Sequence, residues 1–158
     1  MSRVYHEFEA YYQQDSKILI LGSFPSVKSR EVSFYYGHSQ NRFWKVLANI
    51  FNDNVPITIV DKKQFLNRNY IALYDVIDSC EIKGSSDASI QNVQLTNLDK
   101  IINNSKIDLI VLNGKTASKY FVKPVYFEGK ILHLPSTSAA NARCSLDKLI
   151  NEWKKITE

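Results

Sequence analysis

The chain has 158 residues, of which 44% are apolar and 12% aromatic, and a formal net charge of +4. This composition excludes a disordered chain and leaves enough apolar side chains for the core of one domain, which we expect to span residues 1–158. The positive charge permits binding to a polyanion, but the Lys and Arg residues are scattered, so charge alone does not assign nucleic acid as the partner.

The sequence contains no signal peptide, membrane span or lipidation motif, so we expect a cytoplasmic protein with no membrane partner. Its two cysteines, Cys80 and Cys144, stand far apart without a second pair nearby. They cannot supply a four-cysteine iron–sulfur or zinc site. We therefore expect two free thiols, no metal and no cofactor, and the sequence indicates no obligate protein partner.

The first predicted elements are an edge segment and a buried strand. Residues 4–14 predict a helical or extended lead-in that covers one edge of a sheet, with His6 as a surface histidine. Residues 17–21 form an apolar run short enough for a fully buried strand, which ends at Gly22 and Pro25. The polar and aromatic residues that follow predict a long loop beyond the carboxyl end of the strand, where open α/β sheets bind ligands.

The next segment, residues 40–51, predicts an amphipathic helix because its apolar residues recur at three-and-four spacing. Asn41 falls in the first turn of this helix, below the two adjacent tyrosines Tyr35 and Tyr36. Two interpretations are open. Asn41 is either a helix cap under half-buried tyrosines, or the amide of a pocket in which an aromatic ring stacks on a flat ligand.

The rest of the chain alternates helices and strands. We predict a short helix (61–67), a strand (70–76), a surface loop (81–93), a helix (95–102), a strand (108–112), a helix (114–121), a strand (130–134) and a final helix capped by Ser145. This order predicts a three-layer α/β/α sandwich around a largely parallel four-stranded sheet.

Short motifs in a fixed order along the chain resemble the uracil-DNA glycosylase superfamily. They are Gly-Ser-Phe-Pro-Ser (22–26), His-Ser-Gln-Asn-Arg-Phe-Trp-Lys-Val-Leu (38–47), Ala-Leu-Tyr-Asp-Val-Ile (72–77), Leu-Asn-Gly-Lys-Thr-Ala (112–117) and Leu-Pro-Ser-Thr-Ser-Ala-Ala-Asn (134–141). Within the superfamily the chain most resembles the hypoxanthine-DNA (deoxyinosine) glycosylase branch. The resemblance implies an α/β/α fold and a monofunctional enzyme that hydrolyses the N-glycosidic bond of deaminated bases in DNA.

The resemblance also implies roles for individual residues. Phe24 and Leu134 stand where the superfamily usually has its catalytic polar side chains, so the catalytic role passes to Asn41, as in the hypoxanthine branch. An amide oxygen can orient water for attack on a cation that forms largely by itself. The base-binding pocket is expected to consist of Ser23, Phe24, Tyr36 and Asn113, with Tyr36 as the stacking ring. In the related glycosylases the region after the second predicted strand lies near the pocket mouth, which makes Asp75, Ser86 and Asp87 candidate lining residues.

The last motif resembles the loop that grips the DNA backbone and fills the gap left by the flipped base. Its small hydroxyl residues and nearby basic group are expected to contact phosphates: Ser136, Thr137, Ser138, Ala139, Asn141 and Arg143. His38 and His133 are interpreted as structural rather than as acids or bases. Two alternatives stay open, a hydrolase of free nucleosides or nucleotides and a non-catalytic protein that binds damaged bases.

Overall fold

The computed structural model describes residues 2–158, which fold around a parallel sheet. Its strands, in chain order, are β1 (Arg3–Tyr5), β2 (Ile18–Gly22), β3 (Ile71–Asp75), β4 (Ile77–Glu81), β5 (Gln91–Leu95), β6 (Leu109–Asn113) and β7 (Lys130–Leu134). Strands β3, β2, β6 and β7 lie side by side in that order, and every neighbouring pair is parallel. The predicted four-stranded parallel sheet is confirmed.

The helices are α1 (Val27–Val32), α2 (Phe43–Ile50), α3 (Ile59–Arg68), α4 (Asp99–Asn103), α5 (Lys115–Tyr120) and α6 (Leu146–Trp153). Two short 3-10 segments, Asp87–Ser89 and Lys154–Thr157, complete the regular structure. None of the helices within residues 2–158 is long and apolar enough to cross a bilayer.

The sheet is buried on both faces, which explains why its strands are apolar without alternation. Ile20 of β2 points to one face and joins a core built with α2, α3 and α6. Leu19 and Leu21 point to the other face and pack with residues of β4, α4 and α5. Helices therefore cover both faces, and the predicted three-layer α/β/α sandwich is confirmed.

A second sheet lies where the sequence predicted a loop. Strands β1, β4 and β5 form a small antiparallel sheet, with Val4 opposite Cys80 and Ile77 opposite Leu95. The predicted surface loop is therefore confirmed over residues 82–90, apart from the 3-10 segment, but residues 91–95 form β5. The helix expected from Leu95 begins only at Asp99, as α4. Strand β5 is mostly exposed and polar, so it lacks the apolar pattern by which a strand is recognised.

The ends of several elements also differ from prediction. Helix α1 lies inside the stretch predicted as a long loop, and it begins where the Ser26 side chain accepts a hydrogen bond from the Ser29 N–H. Helix α6 begins after Ser145, whose side chain accepts from the Lys148 N–H, as predicted. The lead-in reaches the edge of the parallel sheet through a bridge between Tyr11 and Leu73, which confirms its predicted place.

Candidate active site

The carboxyl ends of the four parallel strands open into one large cavity of about 1190 Å³. Its walls come from the loops after β2, β6 and β7, as expected for an open α/β sheet, together with Asp75 at the end of β3 and the loop between β4 and β5. All residues that the sequence assigned to catalysis, base binding and DNA binding line this cavity: Asn41, Ser23, Phe24, Tyr36, Asn113, Ser136, Thr137, Ser138, Ala139, Asn141 and Arg143.

Asn41 lies just before α2 and has a fixed orientation. Its Oδ1 accepts from the Phe43 backbone N–H at 3.0 Å and from the Thr137 hydroxyl at 2.9 Å. A backbone N–H can only donate, so the oxygen and nitrogen of this amide cannot be exchanged. Both acceptor positions of the oxygen are occupied, and the Nδ2 group has no hydrogen-bond partner among residues 2–158. The amide therefore offers donors to a ligand, rather than the oxygen that the sequence prediction invoked.

Thr137 connects Asn41 to the base pocket. Its hydroxyl accepts from Asn113 Nδ2 at 3.1 Å while it donates to Asn41, and its backbone N–H donates to Asn113 Oδ1 at 3.1 Å. The residue is 0% exposed. Its buried hydroxyl therefore connects Asn41 with Asn113 inside the protein. The contact with a DNA phosphate stays a prediction.

Tyr36 forms a wall of the cavity. Its backbone adopts φ +52°, a left-handed conformation that is uncommon for a bulky residue, and its ring stacks on Phe43 with centroids 3.7 Å apart. The hydroxyl accepts from Asn113 Nδ2 at 3.3 Å. Burial, together with the charge of Asp75, raises the pKa of the Tyr36 phenol far above its usual value. This side chain therefore acts as a neutral ring with a hydroxyl.

Phe24 and Ser23 follow β2 at the opposite wall. The Phe24 ring is 7% exposed and sits edge-on to the His6 ring at 6.0 Å. The Ser23 hydroxyl donates to Asp87 Oδ1 at 3.0 Å. Loss of hydration raises the pKa of the Asp87 carboxyl, although hydrogen bonds from Ser23 and Thr116 oppose that rise. Asp87 and Ser86, which the sequence named as lining residues, also border the cavity.

Arg42 binds the backbone of the loop formed by residues 136–144. Its guanidinium donates to the backbone oxygens of Ser138 at 2.9 Å and Asn141 at 3.2 Å, and also to that of Cys144. The positive charge directs these carbonyl groups toward Arg42. The opposite side of the loop is therefore available to a ligand. The sequence motif contained Arg42, but spacing alone gave no indication of this role.

The cavity rim carries exposed basic residues and two histidines. Lys115, Arg143 and Lys148 are exposed and border the cavity. His38 Nδ1 accepts from the Gln40 N–H at 3.1 Å, and His133 Nδ1 lies 2.9 Å from the Ser118 hydroxyl. Both histidines have local partners, which favours the structural interpretation.

Asp75, a lining residue expected from the sequence, forms a buried pair with His6, which the sequence analysis missed. Asp75, at the end of β3, is 3% exposed, and its Oδ2 lies 2.8 Å from His6 Nε2. The His6 side chain is 0% exposed, so the expectation of a surface histidine was wrong. Strand β1 places this histidine against the sheet, and a strand of three residues is too short for sequence periodicity to reveal.

Comparison with known proteins matches this arrangement to a family. The sequence model of the Uracil DNA glycosylase superfamily matches residues 9–156. The chain belongs to the uracil DNA glycosylase superfamily. The match covers the parallel sheet and every loop that lines the cavity, so the superfamily resemblance predicted from the motifs is confirmed.

Individual relatives within the superfamily cover nearly the whole chain. A protein from Methanosarcina acetivorans named hypoxanthine DNA glycosylase is 32% identical over 155 residues, which are 94% of this chain and 95% of the relative. A protein of the same name from Methanosarcina barkeri is 31% identical over 150 residues, 92% and 93% of the two chains. A solution NMR structure from Methanosarcina acetivorans, described as a candidate uracil DNA glycosylase, superposes with a TM-score of 0.79 at 28% identity and covers 96% of this chain and 97% of its own.

Proposed function

We propose that the protein is a monofunctional DNA glycosylase that hydrolyses the N-glycosidic bond of deaminated bases in DNA, above all hypoxanthine. The observation that carries this proposal is the hydrogen-bonded series Asn41–Thr137–Asn113–Tyr36, which lines one cavity with a stacking ring and an amide. Superfamily membership supports the reaction, and the names of the two Methanosarcina relatives support the base.

The cavity suits a nucleotide turned out of the DNA helix. Phe43 covers one face of the Tyr36 ring, which leaves the other face for a flat base. Flipped bases are commonly held between aromatic side chains and read by hydrogen bonds to their edges. Asn113 is the expected base-edge contact, since its Oδ1 accepts only the Thr137 N–H and keeps one acceptor position.

Cleavage of the N-glycosidic bond depends more on stabilising the charges that develop on the sugar and the leaving base than on a strong base. Cleavage passes through a sugar with oxocarbenium character while negative charge grows on the leaving base. The Asn41 Nδ2 group can donate either to that base or to the attacking water. Because its oxygen is bonded to Phe43 and Thr137, the donor is held in place before the substrate arrives.

The outer loop and basic rim support DNA rather than a free nucleoside as substrate. Residues 136–141 line the cavity together with the exposed Arg143 and Lys148. Small polar side chains and backbone N–H groups contact phosphates without reading sequence. The exposed Lys115 and Lys148 lack the desolvation that activates a lysine nucleophile, so we expect an intact abasic strand as product.

The direct test uses purified protein and oligonucleotides with a single deoxyinosine, deoxyuridine or deoxyxanthosine. We expect free hypoxanthine from the first substrate and strand breaks only after alkali treatment, with activity retained in chelator. Free deoxyinosine is the control substrate. Hydrolysis of the nucleoside but not of the oligonucleotide would favour a nucleoside hydrolase, and binding without base release would favour a non-catalytic sensor. A covalent adduct trapped by borohydride would contradict the monofunctional reaction.

A further inference from the structure

The Asp75 carboxylate is placed as a reacting group rather than as a structural ion pair. One of its oxygens, Oδ2, is bonded to His6. The other, Oδ1, makes no hydrogen bond among residues 2–158, and Asp75 lines the cavity. Asp75 is 3% exposed as a residue, yet Oδ1 is not one of the fully enclosed unpaired atoms of residues 2–158, so this oxygen is reached from the cavity. An unpartnered oxygen at a cavity floor indicates that a ligand or water supplies the bond.

The position of Oδ1 is defined by Gly22 and Tyr36. A Cβ atom added to Gly22 would lie 2.6 Å from Asp75 Oδ1 and 3.2 Å from the Tyr36 hydroxyl oxygen. Gly22 therefore makes room for the carboxylate directly beside the proposed base-stacking ring. Asp75 is the register partner of Gly22 on the neighbouring strand. The carboxylate therefore lies at the same end of the sheet as the loop that carries Phe24.

His6 holds the carboxylate in one orientation. Its ring is enclosed by the rings of Phe8, Phe24, Tyr35 and Tyr74, with centroids between 4.7 and 6.1 Å away. His6 Nδ1 is buried without a hydrogen-bond partner. With a proton on Nε2, His6 donates to Asp75 Oδ2, which leaves Oδ1 free to face the cavity.

We propose that Asp75 Oδ1 accepts a proton of the attacking water and that His6 positions this carboxylate, a role that rests on the glycosylase function proposed above. The position where the superfamily resemblance led us to expect a polar catalytic side chain holds Phe24, and Asn41 Oδ1 has no free acceptor position. Asp75 Oδ1 is then the acceptor for the proton of the attacking water. Asn41 serves as the donor on the other side of the reaction.

The step balances without another reactant. The water oxygen bonds to C1′ of the sugar as the bond from C1′ to the base nitrogen breaks. The electron pair of that bond leaves with the base, which then takes a proton from solvent. The water proton passes to Asp75 and from there to solvent, so water is the sole co-reactant. An ionised carboxylate assists because it accepts the proton and also lies close to a developing cation.

The test measures single-turnover base release from deoxyinosine DNA, together with affinity for DNA that carries a non-cleavable abasic analogue. Asp75→Asn keeps the size of the side chain but removes its charge, and we expect release to slow roughly 10²- to 10⁴-fold, the range typical of losing a general base. Affinity for the analogue should change less than threefold. Asp78→Asn is the matched control, since Asp78 is exposed outside the cavity lining, and it should retain the parental rate.

The His6 variants test the proposal independently of Asp75→Asn. They remain informative if Asp75→Asn does not fold. His6→Gln retains a side-chain N–H donor, whereas His6→Phe keeps only an apolar ring. We expect His6→Gln to recover most of a rate that His6→Phe lowers by at least tenfold, with affinity for the analogue unchanged in both. If folded Asp75→Asn, or His6→Phe, releases base as fast as the parent, the proposal is overturned. If the parent itself releases no base, the glycosylase function fails instead.

Discussion

The Thr137 hydroxyl donates to Asn41 Oδ1 over 2.9 Å, although 96 positions separate the two residues in sequence. This bond joins the residue just before α2 to the last loop of the sheet. It occupies the amide oxygen and directs the amide nitrogen to the cavity. Features of both interpretations that the sequence left open are therefore present, since the Asn41 oxygen accepts the N–H of Phe43, the first residue of α2, and the residue lines the cavity.

Asn41→Ala should lower both stability and catalysis. The lost cap on the Phe43 N–H costs about 1 kcal/mol of folding free energy, and the lost donor should slow single-turnover base release by roughly two to three orders of magnitude. Urea unfolding and rapid-quench kinetics measure the two effects separately. Thr58→Ala is the matched control, because the Thr58 side chain caps α3 outside the cavity. A rate loss no greater than that of the control would make Asn41 only a cap.

Thr137→Val tests the positioning role of the buried hydroxyl. Valine keeps the shape but leaves Asn41 Oδ1 and Asn113 Nδ2 each short of one partner. We expect a loss of about 1–3 kcal/mol in unfolding free energy and at least tenfold slower base release. Thr137→Ser should restore both properties, since it retains the hydroxyl. Weaker DNA binding at an unchanged rate would instead support the direct phosphate contact predicted from sequence.

Tyr36 is expected to act through its ring. Tyr36→Phe removes only the hydroxyl that accepts from Asn113, so it should keep most of the rate of base release. Tyr36→Ala removes the stacking surface and should weaken binding of deoxyinosine DNA and slow the reaction together. Fluorescence anisotropy and single-turnover cleavage give the two quantities. A parental rate in Tyr36→Ala would exclude stacking on this ring.

Arg143 should contribute to DNA affinity without sequence preference. Its side chain is exposed at the cavity rim, so Arg143→Ala should weaken binding alike for different flanking sequences and lower the salt slope by about 1. The control is Lys106→Ala, because Lys106 is exposed at the amino end of β6, opposite the cavity. Affinities are compared across a salt series. An equal change in the control would show that only overall charge matters.

Stability should fall at high pH because two phenols are buried. Burial raises the pKa of Tyr35 and Tyr36 in the folded protein, while an unfolded tyrosine titrates near about 10. Above that pH the unfolded chain loses protons that the folded chain retains, so the free energy of unfolding decreases as pH rises. Melting temperatures between pH 8 and 11 should show a shallower decline in Tyr35→Phe than in the parent. Tyr5→Phe, on the exposed surface, should follow the parental curve.

Much of the fold was predictable from local patterns. The strands β2, β3, β6 and β7 are short apolar runs bounded by turn residues, and a strand buried on both faces needs only apolar side chains. The same reasoning failed for β4 and β5. Three of the five β4 residues are polar and β5 is mostly exposed, so neither strand forms an apolar run. Both are defined by backbone pairing, of β4 with β1 and of β4 with β5.

The gathering of the motif residues at the cavity was also predictable from the sequence, because loops after parallel strands meet at one edge of the sheet and most of the motifs lie in those loops. The hydrogen-bond partners of each polar atom were not predictable in this way. Thr137 is buried beneath Asn41, and His6 reaches Asp75 across 69 positions. Hydrogen bonds between residues so distant in sequence depend on how strands and loops are placed in space, and no local pattern of residue types specifies that placement.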